Sequence, residues 1–322
     1  MALRRILALG GILVALLAFA LPATGVRAAD KLKVVATVSM IGDVLTAISG
    51  DRAEVTTLMG EGVDPHLYRQ TQSDIAAMVR ADAVFWNGLY LEAQLEEFLE
   101  KLAKRKPVFA IGEAVPEDLR ISSITYSDRY DPHIWMTPEL WRHAVKAARD
   151  ALIELDPEGA DTYTANTEIY LDNMDTLAAF ARDSLATVPE DKRVLVTAHD
   201  AFGYFGRTYG FDVIGIQGLS TESEAGLQRV DEIVSLIVDR DIQAIFVETS
   251  VPERNVRALI EGAAARGHTV VVGGQLFSDA MGSAGTYTGT YIGMIDSNVT
   301  VITNALGGTA PVAGLNGKLV GS

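Results

Sequence analysis

The chain has 322 residues, of which 48% are hydrophobic and 21% are charged. This composition is typical of a folded protein of about two domains and excludes a mainly disordered chain. The 27 Lys and Arg residues against 42 Asp and Glu residues give a formal net charge of −15. Such a surface repels phosphate backbones, so we expect no nucleic-acid partner. The chain has no cysteine, which excludes a disulfide scaffold, a thiolate metal site, a cysteine nucleophile and a lipid-modified N-terminal cysteine.

The first segment, 1–29, has the pattern of a secretory signal peptide. Arg4 and Arg5 precede an apolar stretch over 6–21, and Pro22 follows it. The stretch is shorter than the roughly 20 residues that a membrane span needs, which disfavours the alternative of an uncleaved anchor. Because a lipid-accepting cysteine is missing, we expect a periplasmic protein that is exported by a cleaved signal peptide and is not lipid-anchored.

The next segment, 30–155, alternates short apolar runs with helical patterns. Strands are predicted over 32–38, 54–59, 83–86 and 108–111, and helices over 40–49, 71–80, 91–104 and 138–155. This alternation is typical of βα units around a mostly parallel sheet. The pattern therefore predicts an N-terminal α/β lobe with four parallel strands.

The segment 156–189 predicts one long connecting helix. Apolar residues recur there at intervals of three, four or seven, namely Tyr163, Tyr170, Met174, Leu177 and Ala181. At about 1.5 Å per residue, a helix over most of 157–189 would be about 40 Å long. It is a stiff connector that would limit a large hinge closure.

The pattern then restarts in a second lobe, 190–308. Strands are predicted over 193–197, 213–216, 244–247 and 269–272, and helices over 227–239 and 254–265. The expected architecture is two four-stranded parallel-sheet lobes joined by one long helix, with a flexible tail over 309–322.

Three of the five histidines follow predicted strands, where open α/β sheets bind their ligands. The tripeptide Asp-Pro-His occurs twice, ending at His66 and at His133, and His199 ends the first strand of the second lobe. Asp279 follows the last strand. Three imidazoles and one carboxylate form a closed set of four ligands for a divalent cation. The two remaining histidines are interpreted otherwise: His143 as a helix residue and His268 as a loop or helix-end residue.

Four other acidic residues lie near the predicted site. Asp64, Asp131 and Asp200 are placed to accept a hydrogen bond from a ligand histidine, although stabilising a turn is an equally good interpretation. Glu248 ends a strand in the same crevice, where it either supports a ligand or contacts the following helix.

Six segments carry a resemblance to a known family: GVDPHLY (62–68), NGLYLE (87–92), DPHIWMTPELW (131–141), VTAHDAFGYFGRTYGF (196–211), IFVETSVPERNV (245–256) and GGQLFSDAMG (273–282). The chain resembles the zinc/manganese solute-binding proteins of bacterial ABC importers, the cluster A-I or TroA-like class. The resemblance implies two α/β lobes joined by one long helix with metal between them. It also implies ligands at His66, His133, His199 and Asp279.

The resemblance implies a binding protein rather than an enzyme. Such a protein captures Zn(II), with Mn(II) as the alternative, and delivers it to an ABC permease driven by a cytoplasmic ATPase; we expect a monomer. The loop 113–130 has no histidine, unlike the His-rich loop of many zinc-specific relatives. His199 stands where many manganese-specific relatives have Glu, and three imidazoles favour zinc. Affinity is expected to fall as the pH drops through roughly 6.5, the ordinary pKa of histidine.

The alternative function is a secreted zinc-dependent hydrolase with Asp279 or Glu248 as the base. The chain has no HExxH motif, which disfavours this alternative.

Overall fold

A computed structural model describes residues 31–123 and 128–319, and the predicted signal peptide lies outside these ranges. The N-terminal lobe is built on a parallel sheet of four strands in the order β2-β1-β3-β4. Its strands are β1 (Leu32–Val38), β2 (Ala53–Met59), β3 (Ala83–Trp86) and β4 (Val108–Ala110). The last five residues of the central strand β1 are buried, which explains its continuous apolar run. The sheet predicted from the sequence is confirmed.

Four helices flank this sheet: α1 (Ser39–Ser49), α2 (Gln72–Arg80), α3 (Glu96–Ala103) and α4 (Pro138–Leu155). Helix α2 begins with a capping box, in which the side chains of Thr71 and Asp74 each accept from the backbone N–H of the other residue. Helix α4 begins with proline in its first turn, where the missing N–H costs nothing. A capping box therefore marks the start of α2, and a first-turn proline marks the start of α4.

The C-terminal lobe contains strands β5 (Val194–Thr197), β6 (Asp212–Gly215), β7 (Ala244–Glu248) and β8 (Val271–Leu276). Its hydrogen-bonded ladders pair β5 with β6 and β7 with β8. Because β5 lies next to β7, the spatial order β6-β5-β7-β8 repeats that of the first lobe. The predicted α/β fold is confirmed, but the predicted single four-stranded sheet is two ladders side by side. The β7–β8 ladder has a bulge opposite Ile245 and Phe246, where Gly273 of β8 is the extra residue.

Helices α5 to α9 complete the described chain: α5 (Ala160–Leu185), α6 (Gly203–Tyr209), α7 (Leu227–Asp239), α8 (Arg254–Ala265) and α9 (Tyr291–Ala305). Helix α5 is the predicted connector, 26 residues long and therefore about 39 Å. The five apolar residues that predicted it are all buried. None of the helices within 31–123 and 128–319 is both long and apolar enough to cross a membrane.

The tail predicted to be flexible, 309–322, is described as far as residue 319. The backbone N–H of Leu315 donates to both carboxylate oxygens of Asp296, at 2.9 and 3.0 Å. This part of the tail therefore lies against α9. The domain boundaries drawn from the sequence stay predictions.

One hydrophobic core runs through both lobes. It contains β1 and α1 of the first lobe, the buried face of α5, and Tyr291, Met294 and Ile295 of α9. A second core lies inside the C-terminal lobe between the strands and helices α7 and α8. The connector is thus packed along its length, with α1, α4 and α9 against it.

A partly buried hydrogen-bond network joins three of these helices. The Tyr170 hydroxyl donates to Asp43 Oδ2 at 2.7 Å, and the backbone N–H of Tyr291 donates to the same oxygen at 3.1 Å. Tyr163 makes a similar bond to Asp156 at 2.6 Å, but Asp156 also accepts two bonds from Arg52. Tyr163 can therefore serve as a control for Tyr170. Both hydroxyls donate to a carboxylate, but the carboxylate that accepts from Tyr163 also has an arginine partner.

We predict that Tyr170→Phe lowers the free energy of unfolding by about 1.5–3 kcal/mol, because the Asp43 carboxylate loses a side-chain donor in a buried setting. Tyr163→Phe should cost less than about 1 kcal/mol, because Arg52 still pairs with Asp156. Urea unfolding of both variants measures the difference, and equal losses would contradict the assignment.

Candidate metal centre

The two Asp-Pro-His tripeptides form the same turn. Asp64 Oδ1 accepts from the backbone N–H of His66 at 2.9 Å, and Asp131 Oδ1 accepts from that of His133 at 2.9 Å. A side chain that bonds the backbone two residues on is an Asx turn, which fixes the direction of the chain. The repeated motif therefore fixes the backbone of each loop and with it the position of the histidine. His199 follows β5 by two residues, and Asp279 follows β8 by three.

The structure brings the four predicted side chains together. His133 Nε2 lies 3.4 Å from His66 Nε2 and 3.3 Å from His199 Nε2. The Asp279 carboxylate lies 3.8, 3.4 and 3.2 Å from the Nε2 atoms of His66, His133 and His199. One potential ligand atom from each of the four residues lies within 4.8 Å of every other. Each lobe contributes two of them.

The cluster is closed to solvent: His133 and His199 are 0% exposed, His66 is 1% and Asp279 is 2%. The indole Nε1 of Trp135 donates to the Ser278 carbonyl at 2.8 Å, and its ring packs edge-on against His133. Among the described protein atoms, neither oxygen of Asp279 makes a hydrogen bond, although three imidazole nitrogens lie 3.2–3.8 Å away. A buried carboxylate of this kind needs a cation or proton donors nearby.

Carboxylates orient two of the three rings. His133 Nδ1 donates to Asp131 Oδ1 at 2.7 Å, and His199 Nδ1 donates to Glu248 Oε2 at 2.6 Å. Glu248 also accepts from the backbone N–H of His199 at 2.9 Å. With Nδ1 occupied, each ring directs Nε2 toward the cluster, which is the usual support for a metal-binding histidine.

The other two acidic candidates act differently. Asp64 bonds the backbone of His66 rather than its ring, and its second oxygen accepts from the Thr221 hydroxyl at 2.6 Å. Asp200 lines a cavity behind the site, and the ring nitrogens of His199 are engaged by Glu248 and by the cluster. The sequence did not point to Thr221, because its partner lies 157 positions away along the chain.

The electrostatics of the cluster set which groups carry protons. Burial opposes a charge on His133, but the Asp131 and Asp279 carboxylates outweigh it and raise the pKa of His133 to about 9. Burial likewise opposes a charge on His199, yet Asp279 and Glu248 raise its pKa well above the usual value. Although burial favours a neutral Asp279, the two histidines hold the pKa of Asp279 well below its usual range. Burial lowers the pKa of His66 to about 3.

Protons and a cation therefore compete for the same Nε2 atoms. Without a cation, protons on His133 and His199 offset two of the three carboxylate charges of Asp131, Asp279 and Glu248. A divalent cation would replace these two protons and leave the total charge unchanged. The arrangement can hold an ion, but Glu248 is committed to His199 and is poorly placed to activate water.

Comparisons with known proteins find relatives that are named for metal binding or zinc uptake. A family model described as "Zinc-uptake complex component A periplasmic" matches residues 34–305. The manganese-binding lipoprotein MntA of Bacillus subtilis is 44% identical over 293 residues, covering 89% of this chain and 95% of its own. The solved structure of the periplasmic zinc-binding protein TroA from Treponema pallidum is similar with a TM-score of 0.84 and 43% identity, covering 86% of this chain and 99% of that one.

The comparisons correct one prediction. MntA of Halalkalibacterium halodurans, 34% identical over 277 residues and covering 86% of this chain and 89% of its own, is a named lipoprotein like its Bacillus counterpart. These names imply lipid-anchored export, so the prediction that the chain is not lipid-anchored is wrong. That prediction rested on the missing cysteine, which excludes only attachment of a lipid to a cysteine thiol.

We predict that in the cation-free protein His133 is protonated at neutral pH and titrates near pH 9, because Asp131 and Asp279 stabilise its charge. Imidazole NMR signals recorded across the pH range measure this directly. Asp131→Asn should move the titration of His133 to lower pH, because it removes the first of these charges. A His133 that titrates near pH 6.5 in both proteins would contradict the assignment.

Proposed function

Because the chain belongs to the family of zinc-uptake complex component A proteins, we propose that it captures Zn(II) between its lobes for delivery to an ABC permease. The chain is a metal-binding substrate-binding protein of an ABC importer. The family consists of such proteins and not of enzymes, so the alternative of a zinc hydrolase is not supported. The proposed ligands are His66, His133, His199 and Asp279.

The observation that carries the proposal is the spacing of the donor atoms. Zinc binds imidazole nitrogen at about 2.0–2.1 Å in a tetrahedron, so its donors lie roughly 3.3–3.4 Å apart. Four of the five donor distances given above are between 3.2 and 3.4 Å, with His133 facing Asp279 Oδ1 and His199 facing Oδ2. The fifth, from His66 to Asp279, is 3.8 Å. All four ligand atoms lie within 4.8 Å of one another, so the side chains would draw closer together around one ion.

The donor chemistry supports zinc over manganese. Imidazole nitrogen suits zinc, whereas manganese prefers oxygen donors, and three of the four proposed donors are imidazoles. The relatives differ in the metal for which they are named: manganese for the Bacillus protein and zinc for the Treponema protein. We therefore propose Zn(II) as the cargo and keep Mn(II) as the alternative.

The partners of the proposed function follow from the same arrangement. Since one chain supplies all four donors, a monomer is sufficient to carry the ion. The permease would be driven by a cytoplasmic ATPase. The net charge of −15 attracts cations toward the protein and leaves nucleic acid outside the proposed partners.

We predict that His199→Ala weakens zinc affinity by more than about 100-fold, because it removes one proposed ligand and leaves Glu248 without its partner. His143→Ala is the matched control, since His143 lies in α4 outside the cluster, and its affinity should equal that of the wild type. Competition titrations with a chromophoric chelator measure both variants, first with zinc and then with manganese. Equal effects of the two substitutions would overturn the proposed site, and tighter binding of manganese would overturn the proposed cargo.

We predict that the apparent zinc affinity rises with pH up to about pH 9. A cation must displace the proton from His133, whose pKa is about 9, so every step toward higher pH removes part of that competition. The pH range over which the affinity rises therefore extends above roughly 6.5, the value inferred from an ordinary histidine. Calorimetry at pH 7 in buffers of different ionisation enthalpy should show at least about one proton released per zinc bound. An affinity that is constant from about pH 7 to pH 9, with no proton release, would contradict the competition between the proton and zinc for His133.

A further inference from the structure

A segment of the C-terminal lobe reaches across to the N-terminal lobe beside the metal centre. It comprises residues 218–226, between β6 and α7, and is called the strap here. The Thr221 hydroxyl donates to Asp64 Oδ2 at 2.6 Å, and Gln94 Nε2 donates to Glu222 Oε1 at 2.6 Å. Both bonds join the strap to the opposite lobe. Asp64 is the residue whose other oxygen fixes the backbone of His66.

The strap borders two spaces. A cavity of about 650 Å³ lies along it, lined also by Asp131, Asp200 and Arg229. Leu219 and Ser220 also border a small space beside His66. Within the strap only Ala225 packs against a hydrophobic core. A segment with few apolar contacts and room behind it opens at a lower free energy than the packed elements around it.

The buried site requires such an opening. All four proposed ligands are at most 2% exposed, so an ion cannot enter or leave without movement of the protein. A rotation of whole lobes would disrupt the core that runs through α5 and α9. Displacing the strap breaks mainly polar contacts and would uncover the His66 side of the cluster.

We propose that the strap is a lid over the metal centre and that the Thr221 hydroxyl is its latch on Asp64. The proposal rests on the proposed function, because a lid matters only if the cluster holds an ion. Neither Thr221 nor Asp64 is a proposed ligand, so breaking the latch should speed entry and exit alike. Thr221 is thus a positioning residue that sets the rate of metal exchange and leaves the affinity nearly unchanged.

The test is Thr221→Val, which keeps the shape of the side chain and removes the hydroxyl. A hydrogen bond to a carboxylate is strong enough that its loss should raise the zinc association and dissociation rates by about tenfold or more. The dissociation constant should change by less than about threefold, since both rates change together. Stopped-flow mixing with a chelating dye measures the rates, and competition titration measures the affinity.

Two variants control for unrelated effects of the substitution. Thr221→Ser keeps the hydroxyl and should restore wild-type rates. Thr176→Val makes the same chemical change on the exposed face of α5 and should leave the rates unchanged. Amide hydrogen exchange within the strap should be faster in Thr221→Val than in either control, including in the zinc-free protein.

The outcomes separate this proposal from the proposed function. A wild-type chain that binds no zinc would overturn both. A wild-type chain that binds zinc, together with Thr221→Val that exchanges zinc at the wild-type rate, would overturn the lid alone. A weaker affinity caused by faster dissociation alone would also overturn the lid, because it would mean that Thr221 only holds His66 in place.

Discussion

The structure depends on bringing three imidazoles and a carboxylate into contact in a fully buried space. Burial disfavours each charge separately, so the cluster is stable only when positive and negative charges are matched. Asp131 and Glu248 contribute to that balance from behind His133 and His199. The same carboxylates aim the rings and raise their proton affinity, so orientation, charge balance and pH dependence share one physical origin.

The long connector limits how the two lobes can move. Helix α5 is packed against helices of both lobes, and the apolar core continues into α9. Rotating one lobe away from the other would expose part of this core, at about 25 cal/mol for each Å² of apolar surface. Because each lobe supplies two donors, an ion bound by all four would hold the lobes together further. Exchange is therefore easier through a local opening than through a hinge.

The sequence was sufficient for the N-terminal sheet and for the meeting of His66, His133, His199 and Asp279, because strand ends of parallel sheets converge. It was not sufficient for α9, whose residues are buried on most sides and so show no amphipathic stripe. Neither did it distinguish Glu248 from Asp200 as the partner of the His199 ring. That choice depends on how β7 lies beside β5, a contact between residues 49 positions apart.

The division of the donors also bears on selectivity. A closed cluster with three nitrogen donors favours zinc through its chemistry, but a tight site must still release its ion. If affinity is set by the donors and exchange by the strap, the two properties can be changed independently. The donors can then be optimised for one metal without slowing its delivery, because the latch between Thr221 and Asp64 touches no donor atom.

Asp64 connects the strap to the metal centre, since it accepts from Thr221 with one oxygen and fixes the backbone of His66 with the other. Because the bond from the His66 backbone to Asp64 Oδ1 does not involve Thr221, a partner that displaces the strap would open the path and leave the His66 loop in place.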